Sequence, residues 1–174
     1  KKAMARMGTR RESPVARAPS EAPLERFRPA LNAALKAALP NDDRPFYRLL
    51  RYHMGWEDLK GKPSSVGSGK AVRPLLCLFA CEAVGGKPER AMPAAASLEM
   101  VHNFSLLHDD LQDGDRERRH QPTAWTVWGQ GPALMAGDAL CAVGDVALED
   151  LASAGVPARK AIAASRMVTE LYLE

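Results

Sequence analysis

Three carboxylates, Asp109, Asp110 and Asp113, close an apolar segment that begins at Leu98, and Arg118-Arg119 follow shortly after. If the segment is helical, each residue turns the chain by about 100°, so Asp109 and Asp113 share one face. Ser105 and His102 then lie one and two turns earlier on the same stripe. Exposed like charges at this spacing cost only about 0.2–0.5 kcal/mol, which a surface patch tolerates. The apolar run, however, predicts a mostly buried helix, where carboxylates without compensation are expensive. A positive partner is therefore expected. A hard divalent cation with oxygen ligands, its shell completed by a phosphate, suits such a set.

A second group with chemical potential follows the glycine- and serine-rich stretch 55–70. Lys70 and Arg73 stand there at the predicted start of a helix. Backbone N–H groups, the helix dipole and two cations would converge on an anion, although two solvated basic residues at a helix start read equally well. The spacing of a Walker A loop is absent. Asp42-Asp43 read as helix-start charge, and Asp145, Glu149 and Asp150 as a solvated face. Cys77 and Cys81, at i and i+4, could form half a metal site, but no Cys or His cluster completes it and core thiols explain them better.

The elements that must position these groups are helices. Phe27, Leu31, Leu35 and Leu39 predict one helix over about 24–39, stopped by Pro40. A second runs through Phe46 to His53, and a third covers Leu75–Val84, ended by Gly85-Gly86. The central helix is expected from Glu89 or Pro93 to Asp113. Gly114 to Pro122 turn the chain, and Gly129, Gly131 and Pro132 interrupt any helix beyond Trp125. Further helices are expected over 133–152 and from Ala158 to about Leu173. No stretch alternates with period two, so the fold class is all-α.

With 174 residues the chain forms one domain with a real core. Alanine is abundant and aromatic residues make up only 6%, which favours helices over sheets. The net charge of +3 is concentrated in residues 1–20, where Lys1, Lys2, Arg6, Arg10, Arg11 and Arg17 lie. That segment reads as a disordered basic tail, with a transit peptide as the alternative. The remainder is near neutral, so a nucleic-acid-binding core is not indicated. An odd cysteine count without a secretory signal points to a reducing, cytoplasmic setting. No apolar run suggests a transmembrane segment.

Taken together, Leu107-His-Asp109-Asp110-Leu-Gln-Asp113 with Arg118-Arg119 resembles the first aspartate-rich motif of the trans-isoprenyl diphosphate synthases. Gly69-Lys70-Ala-Val-Arg73-Pro74, Glu99-Met-Val-His102 and Met135-Ala-Gly137-Asp138 agree with that family in order and spacing. The resemblance implies an all-α bundle around a deep central cavity, usually a homodimer, using Mg²⁺. By the same resemblance, Asp109 and Asp113 would ligate Mg²⁺ on an allylic diphosphate, with Asp110 in support and Arg118 on that diphosphate. Lys70, Arg73, His102 and Arg119 would hold the diphosphate of isopentenyl diphosphate. The implied reaction joins the two substrates into a longer, farnesyl or geranylgeranyl, diphosphate. Phe104, five residues before Asp109, resembles the bulky residue that limits product length, though on an ideal wheel it points away from Asp109 and packing explains it as well.

The sequence departs from the family pattern at Ala71, where Arg is common, and at His120, where Gly is common. The family's second aspartate-rich motif also has no counterpart here. Residues 21–174 therefore read as the N-terminal part of such a domain, with a partner or further chain expected to supply the other wall. A class I terpene cyclase is an alternative, against which Lys70, Arg73 and Arg119 speak. A non-catalytic subunit is another.

Overall fold

The computed structural model describes residues 22–64 and 69–171. The basic tail, Ser65–Ser68 of the glycine-rich stretch and the last three residues lie outside the described residues. In chain order the elements are α1 (Ala22–Glu25), α2 (Arg28–Ala38), α3 (Pro45–His53), α4 (Val72–Ala83) and α5 (Pro88–Gln112). A two-residue hairpin follows, β1 (Glu117–Arg118) and β2 (Gln121–Pro122), then α6 (Ala124–Trp128), α7 (Gln130–Ser153) and α8 (Ala158–Glu170). The all-α expectation holds, with β1–β2 as a short exception where only a turn was expected.

Boundaries differ from expectation where proline and glycine act locally. The helix expected over 24–39 is split at Arg26-Phe27. Pro29 stands in the first turn of α2, where its missing N–H costs nothing; a continuous helix would have needed that N–H for the carbonyl of Glu25. α7 starts three residues earlier than expected. The break falls at Gly129, with φ of 92°, while Gly131 and Pro132 are absorbed in the first turn. Pro93 sits within α5, at the cost of one backbone hydrogen bond.

The long helix α5 is the spine. It packs chiefly against α7 and α4, while α2 and α6 make smaller contacts and α8 lies against α7. The main core gathers Leu31, Leu35, Leu49, Leu50, Met54, Leu75, Leu78, Met100, Leu107 and Leu140. A smaller cluster, Leu148, Leu151, Ala161 and Val168, seals α8 onto α7. Two glycines let α7 approach α5 closely. A Cβ on Gly144 would meet Val101 Cγ2 at 3.1 Å, and one on Gly137 would collide with His108 Nε2. Contrary to the sequence expectation, α7 is long and apolar enough to cross a bilayer by length and composition. Its packing against α5 gives those apolar residues a partner within the bundle.

Candidate active site

One stripe of α5 carries the core and the next carries the acids. Asn103, Leu107 and Asp110, at helical spacing, are buried. His102 and Ser105 are half-buried, and Asp109 and Asp113 at the end of their stripe are exposed. The expectation of a buried acid row is therefore corrected: burial falls on Asp110 alone. The apolar run marked one face of the helix, and Asp109 and Asp113 lie off it. Ser105 Oγ donates to the carbonyl of His102 at 2.9 Å, so its hydroxyl is spent on its own helix.

Asp110 is 1% exposed and is answered by Arg118, whose Nε and Nη2 both lie 2.6 Å from Oδ1. Burial nevertheless holds the Asp110 carboxyl above its usual range, with Arg118 offsetting part of the effect. The same pairing raises the Arg118 guanidinium. Asp109 and Asp113 make no ion pair among the described residues, although the charge of Asp109 reaches His102. Two neighbouring carboxylates left without a protein cation suit Mg²⁺, which keeps several waters and accepts one or two carboxylates plus phosphate oxygens. Among the described residues no three His, Cys, Asp or Glu side chains form a ready-made cage. The donor set thus fits a metal shared with a phosphate better than one enclosed by protein.

The hairpin after α5 delivers both arginines. Its central residues, Arg119 and His120, have φ of 52° and 61°, the two left-handed positions of a type I′ turn. Trp125 Nε1 and Thr123 Oγ1 donate to the carbonyl of Asp115, each at 2.7 Å, and Tyr52 OH donates to that of Pro122 at 2.7 Å. Arg118, in the strand, turns to Asp110. Arg119, in the turn, joins Lys70, Ala71, Val72, Arg73, Glu99 and His102 around a cavity of about 110 Å³. Gly69 is packed so tightly against Arg119 that a Cβ there would lie 3.0 Å from Nη2. The four residues expected from sequence to share an anion are thus brought together. A larger cavity, about 390 Å³, lined by Leu39, Pro40 and Trp56 among others, contains none of the singled-out residues.

His102 is held below the usual histidine range by burial, then by Arg73, Arg119 and Arg118. Arg73 Nη1 lies 3.3 Å from His102 Nε2, and because a guanidinium only donates, Nε2 accepts. Lys70 and Arg73 are exposed and make no ion pair among the described residues. Arg28 braces the approach from α2, donating to the carbonyls of Gly69 at 3.2 Å and Lys70 at 2.5 Å. Ala71, where the family resemblance expects Arg, is buried with φ of 48° and caps α4, so it contributes packing and no charge.

Three contributors were not singled out from sequence. Glu99 is 2% exposed, lines the cation cavity, and has an Oε2 with no hydrogen-bond partner. An acid inside an apolar run was the available signal, the same one that drew attention to the aspartates. His53 Nε2 donates to the carbonyl of Asn103 at 3.1 Å, and burial beside Arg119 and Arg118 pushes its pKa down to about 3. No spacing rule links it or Arg28 to α5. Phe104 packs against the core and meets His108 edge-on at 4.7 Å. On α7, Asp138 lies 3.6 Å from His108 Nε2, which donates to the carbonyl of Leu134 at 3.2 Å.

Residues 63–172 match the family model described as Polyprenyl synthetase. The chain is 49% identical over 110 residues to a (2E,6E)-farnesyl diphosphate synthase of Mycobacterium tuberculosis, covering 63% of this chain and 31% of the relative. It is 43% identical over 117 residues to a geranylgeranyl diphosphate synthase of the same species, covering 67% and 33%. Among solved structures, a polyprenyl synthetase from Streptomyces coelicolor A3(2) superposes with a TM-score of 0.70 at 44% identity, over 83% of this chain and 44% of that one. A geranylgeranyl pyrophosphate synthetase from Pyrococcus horikoshii superposes with a TM-score of 0.73 at 32% identity, over 86% and 42%. The matches thus span about a third of these curated relatives and less than half of these solved chains. With the family model matched over more than half of its residues, on a bundle shared with these solved structures, the chain belongs to the polyprenyl synthetase family.

Proposed function

We propose that this chain supplies the first-aspartate-motif part of a prenyltransferase that joins an allylic diphosphate to isopentenyl diphosphate, giving farnesyl or geranylgeranyl diphosphate. The observation that carries the reading is the convergence of Lys70, Arg73, His102 and Arg119 on one cavity beside the helix that ends in Asp109 and Asp113. Two anion-binding regions at one helix suit a reaction with two diphosphate substrates, and a cyclase would need only one.

In this reading Asp109 and Asp113 would hold Mg²⁺ beside the allylic diphosphate, and the metal would supply stabilisation of negative charge on the departing pyrophosphate. Arg118, kept in place by Asp110, presents its remaining N–H groups to the same diphosphate. Lys70, Arg73, His102 and Arg119 orient isopentenyl diphosphate, so its double bond meets the allylic carbon as the C–O bond breaks. The new C–C bond leaves a tertiary cation, which loses a proton to the released pyrophosphate. Assembly as a homodimer, or with a partner chain, is part of the same proposal.

The test is prenyl transfer by the intact protein with isopentenyl diphosphate, an allylic primer and Mg²⁺. Asp109→Ala is expected to lower kcat by about 100-fold or more, the scale seen when one stabilising group is lost. Lys70→Ala and Arg73→Ala are expected to raise KM for isopentenyl diphosphate much more than for the primer. Undiminished turnover in Asp109→Ala would refute the metal assignment, and equal KM effects on both substrates would refute the second site.

A further inference from the structure

Glu99 is an acid in a place that should reject one if its role were only to pack. It is 2% exposed, and Oε2 has no hydrogen-bond partner. Its remaining side-chain contact is weak: Asn103 Nδ2 reaches Oε1 at 3.2 Å while also donating to the backbone carbonyl of Glu99 at 2.8 Å. Yet Glu99 lines the cavity that holds Lys70, Arg73 and Arg119, and is the one acid among its lining residues.

The charged and titratable groups around it come from several elements. Arg28 approaches from α2, Arg73 from α4 with Lys70 just before it, and Arg119 from the hairpin, while His102 shares its own helix. His53 reaches the same turn of α5 from α3 through the carbonyl of Asn103. With the cavity empty, a carboxylate offsets mutual repulsion among the cations. Once a diphosphate enters, the cations are answered and the buried carboxylate faces a polyanion, a repulsion that water screens only weakly for a group so little exposed. A carboxyl so placed gives up its charge by binding a proton. Burial raises the Glu99 carboxyl above its usual range, while Asn103 and the arginines oppose the rise.

We propose that Glu99 is a proton-accepting wall of this cavity: an anion while the cavity is empty, it takes one proton from solvent as a diphosphate binds. The neutral acid replaces a repelling oxygen with an O–H donor at Oε2. The inference rests on the reading of this cavity as a diphosphate site and adds the group that adjusts the cavity's charge.

The probe is inorganic pyrophosphate, titrated without Mg²⁺ into the intact protein and its Glu99→Gln variant from about pH 5 to about pH 8. Pyrophosphate's own protonation and that of His102 are common to both proteins, so the ratio of their Kd values isolates Glu99. The expected result is near-equal affinity at the acid end, with the variant gaining up to about tenfold over wild type per pH unit toward the alkaline end. Infrared difference spectra of wild type labelled with carboxyl-¹³C glutamate should gain a neutral-acid carbonyl band on binding, absent in the variant. A ratio independent of pH, whether the variant binds equally or uniformly worse, overturns the proposal, as does binding without a new acid band. If Glu99→Gln fails to fold, the wild-type spectrum decides alone. Failure of pyrophosphate to bind, or binding that Lys70→Ala and Arg73→Ala leave unchanged, refutes the diphosphate site itself and this inference with it.

Discussion

Acidification should destabilise this protein through one histidine. Burial, then the charges of Arg119 and Arg118, push the His53 pKa in the folded chain down to about 3, although donation from Nε2 to the carbonyl of Asn103 opposes the fall; the ordinary unfolded value is about 6.5. The folded pKa is depressed, so the unfolded chain binds the extra proton at mildly acidic pH. Stability therefore rises with pH up to about 6.5 and is lost as pH falls below it. Integrating this linkage from about pH 7 to about pH 5 gives a loss of about 2 kcal/mol. Any folded value below about 4 gives nearly the same figure, since the folded histidine then stays neutral throughout. Glu99 and Asp110 act in the opposite sense, because their folded values are raised. Their contribution favours acid conditions and is lost as pH climbs from the ordinary carboxylate range through those folded values. His53→Gln separates the two, since glutamine retains an N–H donor for the Asn103 carbonyl but cannot titrate. Urea unfolding of wild type and variant at both pH values, with m unchanged, should show the wild type losing about 2 kcal/mol more. Parallel losses in the two proteins would refute the assignment.

Asp110→Asn should destabilise the fold by about 2 kcal/mol in urea unfolding. That is less than the 3–5 kcal/mol of a fully enclosed pair because the Arg118 left behind is 30% exposed and can rehydrate; a change below about 0.5 kcal/mol would mean that the pair is not structural. His120→Gly should raise the urea midpoint and leave pyrophosphate affinity unchanged, because His120 is fully exposed and holds φ of 61°, where a side chain is strained. A lowered midpoint would show that the turn is not held in that conformation.

The helices and the acid stripe were legible because both follow from short-range rules. Period 3.6 identified α2, α3 and α5, and the spacing of Asp109 and Asp113 placed them on one face. Burial was misjudged because an apolar run does not say which stripe faces the core, and here that stripe runs through Asn103, Leu107 and Asp110. The break before Pro29 was not expected, and the break expected at Gly131 and Pro132 falls at Gly129 instead. Proline is harmless in a first turn, but sequence alone does not say where a first turn begins. The meeting of Lys70, Arg73 and His102 with Arg119 came from the family resemblance and not from spacing, since their closeness depends on how α4 and the hairpin pack on α5. His120, noted as a departure from the family's glycine, acquires a physical meaning only with its backbone angle. Glu99 stood in a quoted block without a role, because a carboxylate's partners, or its lack of them, are a property of the fold.

The adjacent arginines show how one short turn separates two tasks. Alternation in β1 and the left-handed turn send neighbouring side chains to different acids of α5, Asp110 and Glu99, which lie about 16 Å apart along the helix axis. Arg118 forms two close contacts with its acid before any ligand arrives. Arg119 makes no ion pair among the described residues, and Glu99 acts on it through space. A guanidinium committed to a buried carboxylate offers geometry more than net charge, because its field is largely cancelled. One that is only neighboured by an acid keeps its hydrogen bonds for a ligand. Loss of Arg118 must therefore weaken the fold and ligand binding together, whereas loss of Arg119 removes binding at little structural cost. In this cavity Lys70, Arg73 and Arg119 are the cations not committed to an acid, and under the proposed function they are the ones whose interactions with an arriving diphosphate become binding energy.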